Sequence, residues 1–287
     1  MKGMIIAAGF GSRFLPATKS IPKEMFPLID RPAIDFIVEE FIQSGITDIL
    51  IVTSRRKKSM EDYFDREIEL EQTFTNEKAK AKLEKIHTKG VNIFYVRQME
   101  MRGTGDAVLL GKEFLNSPFV LAYPDDLIFS STPLAKQLID VYNETGKGVL
   151  SVMNCLDEDV SRYGVIDPRS TDNNSKITPI KGIVEKPKAG TEPSKLVSIG
   201  RYLLTPEIFP LLVEGSKNCT TKEFFLTDAL NILAHEDKLT AYQFDGTRYD
   251  TGEPMGYLKT LTEYALTRDD LKEEYFEFLK DLIQKKG

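Results

Sequence analysis

Arg13, Lys19 and Lys23 fall within one stretch, AAGFGSRFLPATKSIPKEMFP, that begins at Ala7 behind a short apolar run. Gly9 and Gly11 let backbone N–H groups approach an anion, and Arg13 adds a planar fork of donors. Lys23 follows the rigid Pro22 as a compact positive charge. Such a loop offers the holding of phosphates. A surface loop with two turn glycines and solvated cations has the same spacing, so spacing alone leaves both readings open. Two better-known phosphate loops are excluded. A dinucleotide fingerprint needs glycine where Phe14 stands, and no Gly-Lys-Ser/Thr follows for a Walker loop.

Other chemistries lack material. The 287 residues include two histidines, His87 and His235, both in polar, charged surroundings. That leaves almost nothing for a histidine triad or a histidine-ligated zinc. Cys155 and Cys219 lie far apart without metal spacing and read as thiols of a reducing compartment, hence a cytoplasmic location. A net charge of −6 argues against a nucleic-acid partner, which calls for a basic surface. No run of 18 apolar residues is present, so no membrane partner is expected.

The elements that must hold the loop alternate. Strands are expected at 3–8, 48–53, 92–97, 119–123 and 148–154. Helices are expected at 32–44, 58–64, about 67–86, 104–115 and 133–145. Further on, strands at 180–185, 198–204 and 239–244 mix with helices near 206–213, 223–235, 253–267 and 269–285. The segment 172–175 (DNNS) reads as an exposed turn. The fold class is α/β: a Rossmann-like, doubly wound mixed sheet, mostly parallel, with helices on both faces and ligands at the C-terminal strand ends. One domain spans 1–287. Its parts are a first half of about 1–130, a second of about 131–252, and a helical segment over about 253–287. The apolar spacing in LKEEYFEFLKDLIQKK serves equally a packing helix or a homo-oligomer contact.

The stretch GFGSR…PATKSIPKEMFPLIDRP resembles the signature of the sugar-nucleotide pyrophosphorylases, G-x-G-[ST]-R…[KR]-x-x-P-K-x-M-x-P. Further motifs follow in the family's order along nearly the whole chain. They are VRQ at 96–98, RGTGDAV at 102–108, YPDD at 123–126, RYGVI at 162–166, VEKP at 184–187, IGRYLLTPEIF at 199–209, LTDAL at 226–230 and YDTGEPMGY at 249–257. The family moves a nucleotidyl group from a nucleoside triphosphate to a sugar 1-phosphate. The form P-A-T-K-x-I-P-K-E-M is similar to the uridylyl-transferring branch, whose partners are UTP and glucose 1-phosphate.

The resemblance implies roles. Arg13 and Lys23 face the triphosphate, with Lys19 a weaker candidate. Ala8, Gly9, Gly11, Gln98 and Gly103 surround the nucleotide. Gly164, Glu185, Lys186 and Gly200 take the sugar phosphate, with Lys186 as its cation. Asp125 and Asp250 hold Mg2+, which needs only one or two carboxylates besides phosphate oxygens and water. Asp126 is then a turn or cap residue beside the ligand. The attacking phosphate oxygen is already anionic, so positioning and cations carry the reaction and no general base is required. Gln98 suits the N3–H and adjacent carbonyl of uracil, although an amide turned over would read cytosine.

Three residues depart from the uridylyl branch. Thr104 and Asp106 stand in G-T-G-D-A where that branch usually reads G-L-G-H-A, and Thr251 stands where it often has cysteine. They leave open a thymidylyl-, cytidylyl- or adenylyl-transferring relative. A non-catalytic nucleotide-sugar binder is a further alternative, against which the pair Asp125 and Asp250 counts.

Overall fold

A computed structural model describes residues 1–74, 82–83, 90–155, 160–170, 175–220 and 223–286. His87, part of the helix expected over 67–86, and most of the turn expected at 172–175 lie outside them. The strands are β1 (Lys2–Ile6), β2 (Pro27–Leu28), β3 (Arg31–Pro32), β4 (Asp48–Thr53), β5 (Asn92–Arg97), β6 (Phe119–Ala122) and β7 (Asp126–Phe129). They continue as β8 (Gly148–Asn154), β9 (Gly164–Pro168), β10 (Ile177–Glu185), β11 (Leu196–Leu204), β12 (Leu239–Gln243) and β13 (Thr247–Asp250).

The main sheet runs β5-β4-β1-β6-β11-β8-β12-β10-β9. Period-two alternation makes it double-sided. Met4, Leu50 and Leu121 point into one core, whereas Ile5, Ile49, Ile51 and Val120 point into the other. Helices Ala33–Gln43 and Leu134–Thr145 cover the second face through Ile34, Ile37, Phe41, Leu134 and Leu138. Helices Ile208–Asn218 and Leu226–His235 cover the first through Ile208, Phe209, Leu212, Leu226 and Leu230.

The expectation of a mostly parallel sheet is corrected. β5, β4, β1 and β6 are parallel, as is β12 with β8. β11 instead runs antiparallel to β6, β8 and β9, and β10 runs antiparallel to both β12 and β9. The physical reason lies in the connections. A parallel pair needs a crossover of a dozen or more residues, usually helical, and each early strand has one. β9, β10 and β11 follow one another with no helix among the described residues between them, so the chain folds back on itself. β9 itself, inside the RYGVI motif, was not anticipated as a strand.

Two features position the site. β7 and β13 form a separate two-stranded ribbon that places Asp250 opposite Asp126. The fully buried Arg201 of β11 then fixes the turn before β7. Its guanidinium donates to both oxygens of Glu40 (3.0 and 2.8 Å) and to the carbonyl oxygens of Gly200 (3.2 Å) and Asp126 (3.1 Å). Glu40 also accepts from the Ala135 N–H at 2.9 Å. Helix, sheet and turn are thus tied through one satisfied buried ion pair, and removing one member of such a pair costs about 3–5 kcal/mol.

Candidate functional site

The glycine-containing loop leaves β1 at the C-terminal edge of the sheet and condenses into three short 3-10 turns, Ser12–Phe14, Ala17–Lys19 and Lys23–Met25. Gly11 has φ +64°, a left-handed conformation that glycine adopts without cost, and its carbonyl accepts from Thr18 Oγ1 at 2.8 Å. Phe14 is an anchor. Its ring packs edge-on against Phe26 and Tyr257, and the Tyr257 hydroxyl donates to the Pro27 carbonyl at 2.7 Å. The residue that spoils a dinucleotide fingerprint therefore pins this loop to the helix Pro254–Thr267.

Arg13, Asp125, Lys186 and Asp250 line one open cavity of about 420 Å³, together with Asp126, Ser161, Arg162, Tyr163 and Arg248. Arg13 Nη1 donates to the Gly252 carbonyl at 3.3 Å. Lys23 reaches the same place from the loop, its Nζ 2.5 Å from Asp125 Oδ2. Burial pushes the Asp125 carboxyl up, but Lys23 outweighs it and holds the group below the usual carboxylate value. Burial likewise lowers Lys23, and Asp125 and Glu24 more than restore it, so its ammonium is held above its ordinary value. Lys19 is exposed.

Asp125 and Asp250 converge. A Cβ built on Gly252 would lie 2.9 Å from Asp125 Oδ2 and 3.0 Å from Asp250 Oδ1. Both oxygens therefore reach one point beside a residue that has no side chain to fill it. Two carboxylates at the mouth of a polar cavity match what magnesium asks of a protein when phosphates and water supply the rest. No group of three or more His, Cys, Asp or Glu forms a cation cluster among the described residues. Thr251 stiffens the pair, its N–H and hydroxyl both donating to the Asp125 carbonyl at 2.8 and 3.0 Å.

Asp126 points elsewhere. Its Oδ1 accepts from Arg248 Nε at 2.5 Å and its Oδ2 from the Gly200 N–H at 3.1 Å. Burial raises this carboxyl; Arg248 pulls it back, and Asp125 and Asp250 raise it further. Gly200 thus meets Asp126 through its backbone, and no side chain fits there, since a Cβ would approach Oδ2 to 2.6 Å. Gly164 lies next to Glu185, whose Oε2 would be 3.3 Å from a Cβ on Gly164 and accepts from Thr227 Oγ1 at 3.3 Å. Lys186 has φ +44°, a strained backbone for a residue with a side chain. Its ammonium is 3.7 Å from Glu185 and largely exposed to the cavity.

Ala8 and Gly9 follow β1, and Gln98 follows β5, on the same sheet edge. Gln98 Nε2 donates to the Gly103 carbonyl at 3.2 Å and to Asp106 Oδ2 at 2.9 Å. Gly103 has φ +99°, and a Cβ there would come within 2.4 Å of the Phe224 carbonyl. The expected residues therefore form two neighbourhoods, a cavity around Asp125 and a small group around Gln98, with Ala8 and Gly9 between them along the edge.

Several cavity residues were missed in the sequence. Arg248 stands two residues before Asp250 on β13, a spacing that puts both on one strand face, and its Nη2 lies 3.5 Å from Asp250 Oδ2. Its Nη1 donates to the Tyr163 hydroxyl at 3.2 Å. Behind Lys23, the buried Lys57 donates to both oxygens of the buried Glu24 at 2.6 and 2.7 Å. Glu24 sits inside the loop motif, so its neighbour was legible. Lys57, in RRKKS, looks like one more surface cation.

The chain is similar to known proteins along nearly its whole length. The pattern of the nucleotidyl transferase family matches residues 2–266. The chain is 46% identical over 284 residues to a UTP–glucose-1-phosphate uridylyltransferase of Staphylococcus epidermidis, covering 98% of each chain. A solved UTP-bound UGPase from Acinetobacter baumannii is 36% identical, with TM-score 0.89 over 98% of this chain and 99% of that one. A UDP-glucose pyrophosphorylase complexed with UDP-glucose is 39% identical, with TM-score 0.82 over 93% and 99%. The chain belongs to the nucleotidyl transferase family.

Proposed function

We propose that the protein transfers a uridylyl group from UTP to glucose 1-phosphate, giving UDP-glucose and pyrophosphate. The convergence of Asp125 and Asp250 beside Gly252, with Lys23 on Asp125, carries this beyond sequence likeness. A pure nucleotide-sugar binder has no use for that pair.

In the reaction a phosphate oxygen of the sugar attacks the α-phosphorus of UTP, a new P–O bond forms, and the bond to pyrophosphate breaks in line with it. The nucleophile arrives deprotonated, so no base is required. Lys23 neutralises charge near the α-phosphate, and Arg13 holds the departing pyrophosphate, with the backbone at Gly11 alongside. Lys186 steers the sugar phosphate, Glu185 accepts from sugar hydroxyls, and Gly164 lies alongside the ring. The buried Gly200, whose N–H is given to Asp126, corrects the expectation that it touches the sugar and instead supports this wall from behind. Ala8, Gly9, Gln98 and Gly103 face the base. Asp125 and Asp250 would hold Mg2+, which when bound supplies positive charge to the crowded phosphates.

We further assign the nucleotide to about 1–130 and the sugar phosphate to about 131–252, and place the enzyme in the cytoplasm. A homo-oligomer is supported by the helix Lys272–Lys286, which leaves Phe276, Phe278 and Ile283 exposed. The test is pyrophosphate release with UTP, dTTP, CTP or ATP against several sugar 1-phosphates in magnesium. UTP with glucose 1-phosphate is expected to give the highest kcat/KM; preference for another pair contradicts the assignment.

A further inference from the structure

Gln98 is almost fully buried, and its amide is held from one side. Nε2 donates to Asp106 Oδ2 at 2.9 Å and to the Gly103 carbonyl at 3.2 Å. A carboxylate and a peptide carbonyl only accept, so both N–H bonds of the amide are committed, and only the NH2 end fits there. Turning the amide over would set Oε1 against two other oxygens. Oε1 has no donor among the described residues. The one buried side-chain polar atom without a partner among them is Thr53 Oγ1, so Oε1 is not fully sealed and keeps some exposed surface.

We propose that Asp106 is a specificity-positioning residue. It locks the Gln98 amide with its carbonyl oxygen toward the base, so that the site accepts a pyrimidine carrying N3–H and rejects one whose N3 is a bare acceptor. The lock rests on the uridylyl transfer proposed above and deepens it. Uracil and thymine donate from N3. Cytosine presents a lone pair there, which would face the lone pairs of Oε1. An unrestrained glutamine turns over and donates to cytosine instead. This one must first give up two hydrogen bonds, one of them to a charged acceptor. The lock is made by a residue that departs from the pattern of the uridylyl branch. It also corrects the expectation that Gln98 serves both N3–H and the adjacent carbonyl: its donors point inward, and the base meets only its oxygen.

The test compares wild-type enzyme with Asp106→Leu and Asp106→Asn by pyrophosphate release from UTP, dTTP and CTP at saturating glucose 1-phosphate. The UTP/CTP ratio of kcat/KM is expected to fall about tenfold in Asp106→Leu. It should fall less in Asp106→Asn, which offers a donor beside its acceptor. The dTTP/UTP ratio should hold, because both rings carry N3–H. If Asp106 merely packs, all three nucleotides decline together and the UTP/CTP ratio stays put, which overturns the lock. Should Asp106→Leu fail to fold, the isosteric Asp106→Asn decides on the same ratio. A wild-type enzyme that prefers ATP or CTP overturns uridylyl transfer itself, whatever the variants do.

Discussion

Lys23 Nζ and Asp125 Oδ2 are 2.5 Å apart although 102 residues separate them in the chain. The pair joins the glycine-containing loop to the turn before β7, and each partner holds the other in its charged form. The loop is therefore poised with its cation already against a carboxylate that faces the cavity.

Breaking that pair should abolish turnover. Asp125→Ala removes the partner of a buried ammonium and one of two converging carboxylates. Its kcat is expected to fall by at least about 10³-fold while thermal melting still shows a folded protein. A rate within a few-fold of wild type refutes the role of Asp125.

Gly252 offers a finer perturbation. A methyl group there would press on both Asp125 Oδ2 and Asp250 Oδ1. Gly252→Ala is expected to lower kcat by about 100-fold and to raise the magnesium concentration for half-maximal rate, with a small change in melting temperature. An unchanged magnesium requirement would show that the two oxygens do not share a ligand.

Lys186 should display a conflict between stability and activity. Its left-handed backbone costs about 1 kcal/mol or more that glycine avoids, so Lys186→Gly should be as stable as wild type or more so in urea unfolding. The same variant should raise KM for glucose 1-phosphate about tenfold or more, with little change for UTP. Equal effects on both substrates would detach Lys186 from the sugar phosphate.

The buried Lys57–Glu24 pair carries the loop from behind. Lys57→Met or Glu24→Gln alone strands one buried charge and should cost about 3–5 kcal/mol, and the double variant should cost less than the two together. Additive losses would show that the pair does not interact. Burial and nearby Lys23 lower the Lys57 ammonium below its ordinary 10.5 despite Glu24. A lowered value means that its share of stability is complete above pH 10.5 and is lost as pH falls through the lower, folded value. The stability difference between wild type and Lys57→Met should accordingly grow as pH rises toward 10.5.

Local pattern made the parallel half of the fold legible. The expected strands 48–53, 92–97 and 148–154 coincide with β4, β5 and β8, because each is a compact apolar or β-branched run between turn residues. The antiparallel half was not legible. The direction of β11 depends on where a helix-free connection returns, and nothing within LVSIGRYLL states that. Arg13, Lys23, Asp125 and Asp250 could be named from motif and chemistry. Arg201 could not, since its burial depends on Glu40 lying across the core, 161 residues away. The orientation of Gln98 was equally hidden, because it is set by an acceptor one helical turn into the next element.

Manganese binding followed by electron paramagnetic resonance, in the presence of UTP, tests the convergence of Asp125 and Asp250 most directly. The wild-type enzyme should bind one ion tightly, and Asp125→Asn and Asp250→Asn should each weaken it by at least about tenfold. Wild-type affinity in both variants would contradict a shared cation between the two carboxylates.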